Sequence, residues 1–155
     1  MIERYSRKEM SSIWNEKNKY QIWLDIEIAA AQSMEKNKLI PKGVSAKMKK
    51  KSKINIQRIH KIEKKVHHDF ISFLTSITER MGKEGNYVHK GMTSSDVLDT
   101  CFNFQLAQAG KILEKDINEI LKVLKKKSFL YKKTICIGRS HGIHAEPTTF
   151  GLKLA

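Results

Sequence analysis

Residues 93–124 read TSSDVLDTCFNFQLAQAGKILEKDINEILKVL, and this stretch decides the fold. Thr93, Ser94, Ser95 and Asp96 are residue types that satisfy the free backbone N–H groups at the start of a helix, and an apolar run follows them at once. No proline interrupts the run, and Gly110 is its single glycine. Phe102, Leu106, Ala109, Leu113, Ile117, Ile120 and Leu124 recur three or four residues apart. That spacing places them along one stripe of an α-helix, in the manner of a bundle seam. Val97, Cys101, Phe104, Ile112 and Val123 lie off the stripe, so more than one partner helix is expected to pack here. A helix of about 30 residues would be ~45 Å long at ~1.5 Å per residue. It cannot bury both faces inside a chain of 155 residues, so other subunits are expected to cover it. The fold class is all-α.

Working outward, Gly82, Gly85 and Gly91 with Asn86 and Lys90 mark residues 82–92 as a loop. Further upstream the periodicity is helical. Ser6 with Glu9 three residues later is a capping-box pattern, which predicts a short helix beginning near Arg7. From Asn18, the positions Ile22, Leu24, Ile26, Ile28, Ala29, Ala31 and Met34 predict a helix buried on most sides. The stretch from Leu39 to Gly43, with Pro41, breaks it. Helical segments follow at about 44–52, 55–67 and 69–80. Downstream of Tyr131 the period changes. Residues 134–138 form a short β-like run, and 139–146 read as a polar loop carrying His141 and His144. Pro147 suits the first turn of a new helix starting at Thr148, Thr149 and Phe150. That helix has no stop signal before Ala155, so the chain is expected to be truncated. The predicted organisation is a small helical domain over 1–93 and the first part of a long-helix bundle domain over 94–155.

The charge points to anionic ligands. Lys plus Arg number 30 against 16 Asp plus Glu, a formal net charge of +14. Twenty-five of the basic residues are Lys and 5 are Arg, whereas nucleic-acid readers favour the rigid guanidinium fork. No zinc-finger spacing, RNA-binding aromatic signature or basic zipper accompanies the lysines. The reading is a solvated Lys-rich surface, with no nucleic-acid partner. The chain is 40% hydrophobic and 30% charged, which excludes a disordered polypeptide. No apolar run approaches the ~20 residues of a membrane span. Cys101 and Cys136 have no paired spacing to further ligands, which excludes a disulfide scaffold or zinc ribbon. A reduced, cytoplasmic protein is expected.

Histidines carry the candidate chemistry. His67, His68 and His89 sit beside helix breaks with polar neighbours, Asp69 among them, and His141 and His144 follow the β-like run. The His141–His144 spacing lacks the acidic partner of a zincin motif, so no metal is expected. No Gly-x-Ser-x-Gly turn supports a serine hydrolase. General acid–base chemistry needs only an imidazole and an anchored substrate. Thr93 and Ser94 at a helix N-terminus offer hydroxyls, free N–H groups and a positive dipole end, which suits a carboxylate or phosphate as well as simple capping.

Four blocks in order extend this reading: Met1-Ile2-Glu3-Arg4-Tyr5-Ser6; His67-His68-Asp69; Val88-His89-Lys90-Gly91-Met92-Thr93-Ser94-Ser95-Asp96-Val97; and Gly138-Arg139-Ser140-His141-Gly142-Ile143-His144-Ala145-Glu146-Pro147-Thr148-Thr149-Phe150-Gly151. Together they resemble the N-terminal third of the adenylosuccinate lyase family, in the fumarase/aspartase superfamily. The resemblance implies an almost wholly helical homotetramer with active sites shared between subunits and no cofactor. It implies β-elimination of fumarate from adenylosuccinate and from succinylaminoimidazole carboxamide ribotide, in purine nucleotide biosynthesis. His141 would be the general acid, and His68 would orient the substrate and neutralise its charge. Arg4 and Tyr5 would meet the nucleotide, His67, His68, Asp69 and His89 would line the pocket, and Thr93 and Ser94 would hold a succinyl carboxylate. The family's base, a serine on a downstream glycine-rich loop, has no match here, so these residues alone are expected to be inactive. Ser140 and His67 depart from the Thr and Arg of the family pattern. Two alternatives stay open: a basic helical nucleic-acid-binding or scaffold module, and argininosuccinate lyase within the superfamily.

Overall fold

A computed structural model describes residues 2–155. Helices dominate it: α1 (Lys8–Ile13), α2 (Glu16–Lys36), α3 (Val44–Lys51), α4 (Ile56–Val66), α5 (Asp69–Thr78), α6 (Ser94–Leu130) and α7 (Phe150–Leu154). Short 3-10 turns occupy Glu3–Tyr5 and Gly82–Tyr87, and one antiparallel hairpin joins β1 (Ile135–Ser140) to β2 (Ile143–Thr149). The chain divides into two compact units, one ending at Ala109 and one beginning at Gly110, with α6 running through the division.

The first unit is organised by α2. Asn15 caps it, its side chain accepting from the Asn18 N–H at 2.8 Å, so the helix starts two residues ahead of the expected Asn18. Tyr20 and Trp23 on α2 meet Phe70 and Phe73 on α5, with centroids 5.1–5.9 Å apart: Trp23 takes edge-on contacts, Tyr20 stacks on Phe73. Aromatic pairs in these geometries contribute about 0.5–1.5 kcal/mol each beyond the area they bury. Val97 and Cys101 bring the start of α6 into the same core. Polar fasteners add to it. Gln105 and Asn18 both donate to the Ile13 carbonyl at the end of α1, at 2.6 and 2.8 Å. The Glu35 carboxylate accepts from the Ser45 N–H at 2.6 Å, which caps α3 in place of a side chain at its glycine N-cap.

Buried positions on α6 are Val97, Cys101, Gln105 and Ala109, spaced by four. Of the expected seam, Ala109 is buried, whereas Phe102, Leu106, Leu113, Ile117 and Ile120 are exposed. Val97 and Cys101, from the off-seam set, supply the contact. The helix is 37 residues long, about 55 Å at ~1.5 Å per residue.

Three local expectations differ from the structure. The Ser6 capping box does not form: α1 begins at Lys8, behind Arg7, and the Ser6 hydroxyl donates to the Ile2 carbonyl at 2.9 Å. Residues 139–146 are not a loop, because β2 pairs back on β1 through a two-residue turn. Pro147 therefore lies in a strand opposite Ile137 and not in the first turn of α7. A proline is tolerated there because both strands of a two-stranded ribbon are edges. Thr149 caps α7, accepting from the Leu152 N–H at 3.2 Å. In the second unit, a Cβ added to Gly151 would stand 2.3 Å from the Ser128 carbonyl, so α7 closes backbone to backbone on the end of α6.

Candidate functional site

The corner between α4 and α5 is made of two histidines. His67 ends α4 in the left-handed region, φ 54°, with its N–H donating to the Glu63 carbonyl at 2.8 Å. Its side chain lines an open hollow with His60, Glu63 and Lys64. His68 is the N-cap of α5, and its Nδ1 accepts from the Ile71 N–H over a long 3.4 Å. An accepting Nδ1 leaves the ring proton of neutral His68 on Nε2. Asp69 opens α5, where a carboxylate suits the positive helix end, and accepts from the Phe70 N–H at 2.7 Å. Both His68 and Asp69 remain half exposed.

Phe70 carries this corner to the next candidate: its ring lies 4.8 Å from the His89 imidazole. His89 is also left-handed, φ 59°. Glu27, at 1% exposure, takes its backbone N–H at 3.0 Å and its ring Nδ1 at 2.7 Å. Burial pushes the Glu27 carboxyl above the ordinary carboxylate range, and the bonds and charge of His89 pull it back. His89 then turns, its carbonyl accepting from the Met92 N–H at 3.4 Å, and one residue later the α6 cap begins. The Thr93 N–H donates to the Asp96 carboxylate at 2.8 Å, which is the reciprocal half of a capping box. Ser94 is the first residue of α6. Phe70 thus connects the His68–Asp69 corner to His89, and the 89–92 turn leads from His89 to Thr93 and Ser94.

Arg4 and Tyr5 lie in the first 3-10 turn, exposed, with the guanidinium 4.7 Å above the phenol ring. No described contact joins them to those residues. A surface cleft of about 750 Å³, lined by Lys51, Lys53, Arg58, Glu79 and Arg80 among others, holds none of the candidates. Among the described residues no three His, Cys, Asp or Glu side chains gather as a metal site would require, and no helix is long and apolar enough to cross a membrane.

His141 belongs to the second unit. It occupies the hairpin tip, and both His141 (φ 50°) and Gly142 (φ 79°) are left-handed, the signature of a tight turn matched to strand twist. The imidazole is therefore presented to solvent at the apex. His144 is not in the tip. It sits on β2 opposite Arg139, with Arg139 Nη2 and His144 Nε2 3.4 Å apart.

Glu27 is the site residue that sequence reasoning missed. One signal was available: Tyr20, Trp23, Glu27 and Ala31 fall at helical spacing on a face that is otherwise apolar. A lone acid on a core face needs a buried partner.

A family model described as Lyase matches residues 3–155. Over all 155 residues the chain is 46% identical to the adenylosuccinate lyase of Bacillus subtilis (strain 168), and it covers 36% of that protein. Two solved structures are similar in fold. A fumarate lyase from Mesorhizobium sp. BNC1 superposes with a TM-score of 0.88 at 22% identity, over 97% of this chain and 37% of its own. A 3-carboxy-cis,cis-muconate lactonizing enzyme from Pseudomonas putida gives 0.88 at 24% identity, over 97% and 36%. The chain thus spans about a third of the length of the relatives it matches.

Proposed function

The chain belongs to the Lyase family, and on that premise we propose that its residues form part of an adenylosuccinate lyase. The observation that carries this reading is 46% identity over the whole chain to an enzyme of that name. The reaction is a β-elimination. A base takes a proton from the succinyl arm, the carbon–nitrogen bond breaks as the double bond of fumarate forms, and an acid protonates the departing nitrogen. Adenylosuccinate and succinylaminoimidazole carboxamide ribotide are the substrates in this reading. His141 is the acid, and its place at a turn apex supports that role because nothing in the hairpin shields it. His68 orients the substrate and offsets its charge. His67, Asp69 and His89 line the pocket, Arg4 and Tyr5 meet the nucleotide, and Thr93 and Ser94 hold a succinyl carboxylate at the α6 N-terminus. The base lies outside these residues. Residues 1–93 act as a small helical domain and 94–155 as the first part of the long-helix bundle, assembled as a cytoplasmic homotetramer.

The test is fumarate release from adenylosuccinate by the full polypeptide carrying this sequence. His141→Ala should cost about 10²–10⁴ in turnover, the scale of general acid catalysis. His144→Ala, altering a strand position beside Arg139, should change turnover less than about tenfold. Equal losses in the two variants would overturn the assignment of the acid, and absence of fumarate release by the unaltered protein would overturn the activity.

A further inference from the structure

Glu27 is a carboxylate in the aromatic core whose two oxygens are both taken by one residue: Oε2 accepts the His89 backbone N–H at 3.0 Å and Oε1 lies 2.7 Å from His89 Nδ1. Burying a carboxylate is expensive unless it is paired, and every other buried residue of α2 except this one is apolar or aromatic. The pair also fixes geometry. A two-point hold on backbone and ring keeps His89 in the left-handed conformation that non-glycine residues rarely adopt. Phe70 closes one side of the ring at 4.8 Å. The imidazole is 17% exposed. Among the described residues no buried side-chain nitrogen or oxygen lacks a partner, so Nε2 of His89, which has no partner among them, opens to solvent.

We infer that Glu27 is a positioning residue: it holds the Nδ1 proton of His89 and thereby makes the outward Nε2 the atom that meets an anionic group of the substrate. A carboxylate accepts only, so Nδ1 must carry the proton and Nε2 is left to take up a second one when an anion arrives. This deepens the lyase reading and rests on it for the substrate, while the hold on the ring stands on geometry alone.

Glu27→Gln separates the two. The backbone N–H of His89 requires an oxygen, so the Gln amide nitrogen must face Nδ1 and donate to it. The neutral ring is then forced to carry its proton on Nε2 and loses the means to become a charged donor. Nitrogen chemical shifts of the His89 ring should therefore show Nδ1–H in the neutral ring of the unaltered full polypeptide and Nε2–H in the variant. KM for adenylosuccinate should rise roughly 10–100-fold, the scale of one charge-assisted hydrogen bond, with a smaller change in kcat. In a His89→Gln background the same substitution should raise KM no further.

An unaltered protein with its neutral His89 proton on Nε2 overturns the inference, and that measurement holds even where Glu27→Gln fails to fold. So does a Glu27→Gln protein with unchanged shifts and KM, or a KM rise that adds in full to that of His89→Gln. His89→Gln with ordinary KM overturns the substrate contact and the pocket reading it rests on, leaving the tautomer result to decide Glu27's hold on the ring.

Discussion

Three histidines, His67, His89 and His141, adopt φ of 54°, 59° and 50°, a region where an L-residue's Cβ crowds its own backbone. The shared strain has different supports. His67 closes a helix and His141 a hairpin, positions where glycine serves equally well. Glycine at either should raise stability by about 0.5–1 kcal/mol, the steric relief less its extra chain entropy. Glycine at 89 should instead lower it by about 1–2 kcal/mol, because Glu27 is left buried without its ring partner. Denaturant unfolding of the three variants decides this, and a stabilised His89→Gly would mean the Glu27 bond contributes nothing. At this scale the sequence was partly legible. Thr93 and Ser94 declare a helix start, and His67-His68 falls where one periodic run gives way to the next. Glu27 was not legible, because its partner lies 62 residues away and periodicity reports a face without saying what stands opposite.

Helix α3 depends on a carboxylate borrowed from α2. Bonds from the Ser45, Gly43 and Val44 backbone hold Glu35 below the ordinary carboxylate range. A carboxyl with a depressed value in the folded state stabilises the fold above its unfolded value and loses that contribution as pH falls through the folded one. Glu35→Gln should therefore cost about 1 kcal/mol at pH 7, the scale of a helix cap. The gap to the unaltered chain should hold down to roughly pH 4–5 and close below it. Urea midpoints at neutral and acid pH measure this, and a gap that widens as the pH falls would refute it. Most helices were legible from spacing alone. The hairpin was only half legible, since Ile135-Cys136-Ile137 shows a strand but His141-Gly142 lacks the Asn-Gly or Asp-Gly signal that flags a two-residue turn. Pro147, a residue that commonly opens a helix, lies in the return strand instead.

Among the described residues, the large buried aromatic side chains all come from the first unit, while Leu113, Ile117 and Ile120 stand exposed along α6. A stripe of that kind seeks cover. The 155-residue chain should self-associate through it, and Ile117→Lys with Ile120→Lys should reduce association. The same preparation should release no measurable fumarate if the base lies elsewhere. Sedimentation velocity across a concentration series and a fumarate absorbance assay test both, and a monodisperse monomer or true turnover would each defeat one half. An all-α fold with one long helix was legible because a 3.6-residue period sustained over so many turns has few other uses. What covers the stripe was not, since one face of a periodic helix carries no record of its partner's sequence.

The open stripe also sets a timetable for biogenesis. At about 5–20 residues per second on the ribosome, residues up to Ala109 leave the exit tunnel with their aromatic cluster complete, and helix growth itself takes only nanoseconds per residue. The part of α6 beyond Gly110 is therefore helical, apolar on one side and uncovered for seconds, far longer than a chance encounter between nascent chains. Lys111, Lys115, Lys122 and the Lys125-Lys126-Lys127 run outnumber Glu114, Asp116 and Glu119 in that segment, and its net positive charge lowers the rate at which two such chains meet. The lysine excess that first suggested an anionic partner would thus also slow the meeting of two uncovered stripes without preventing it.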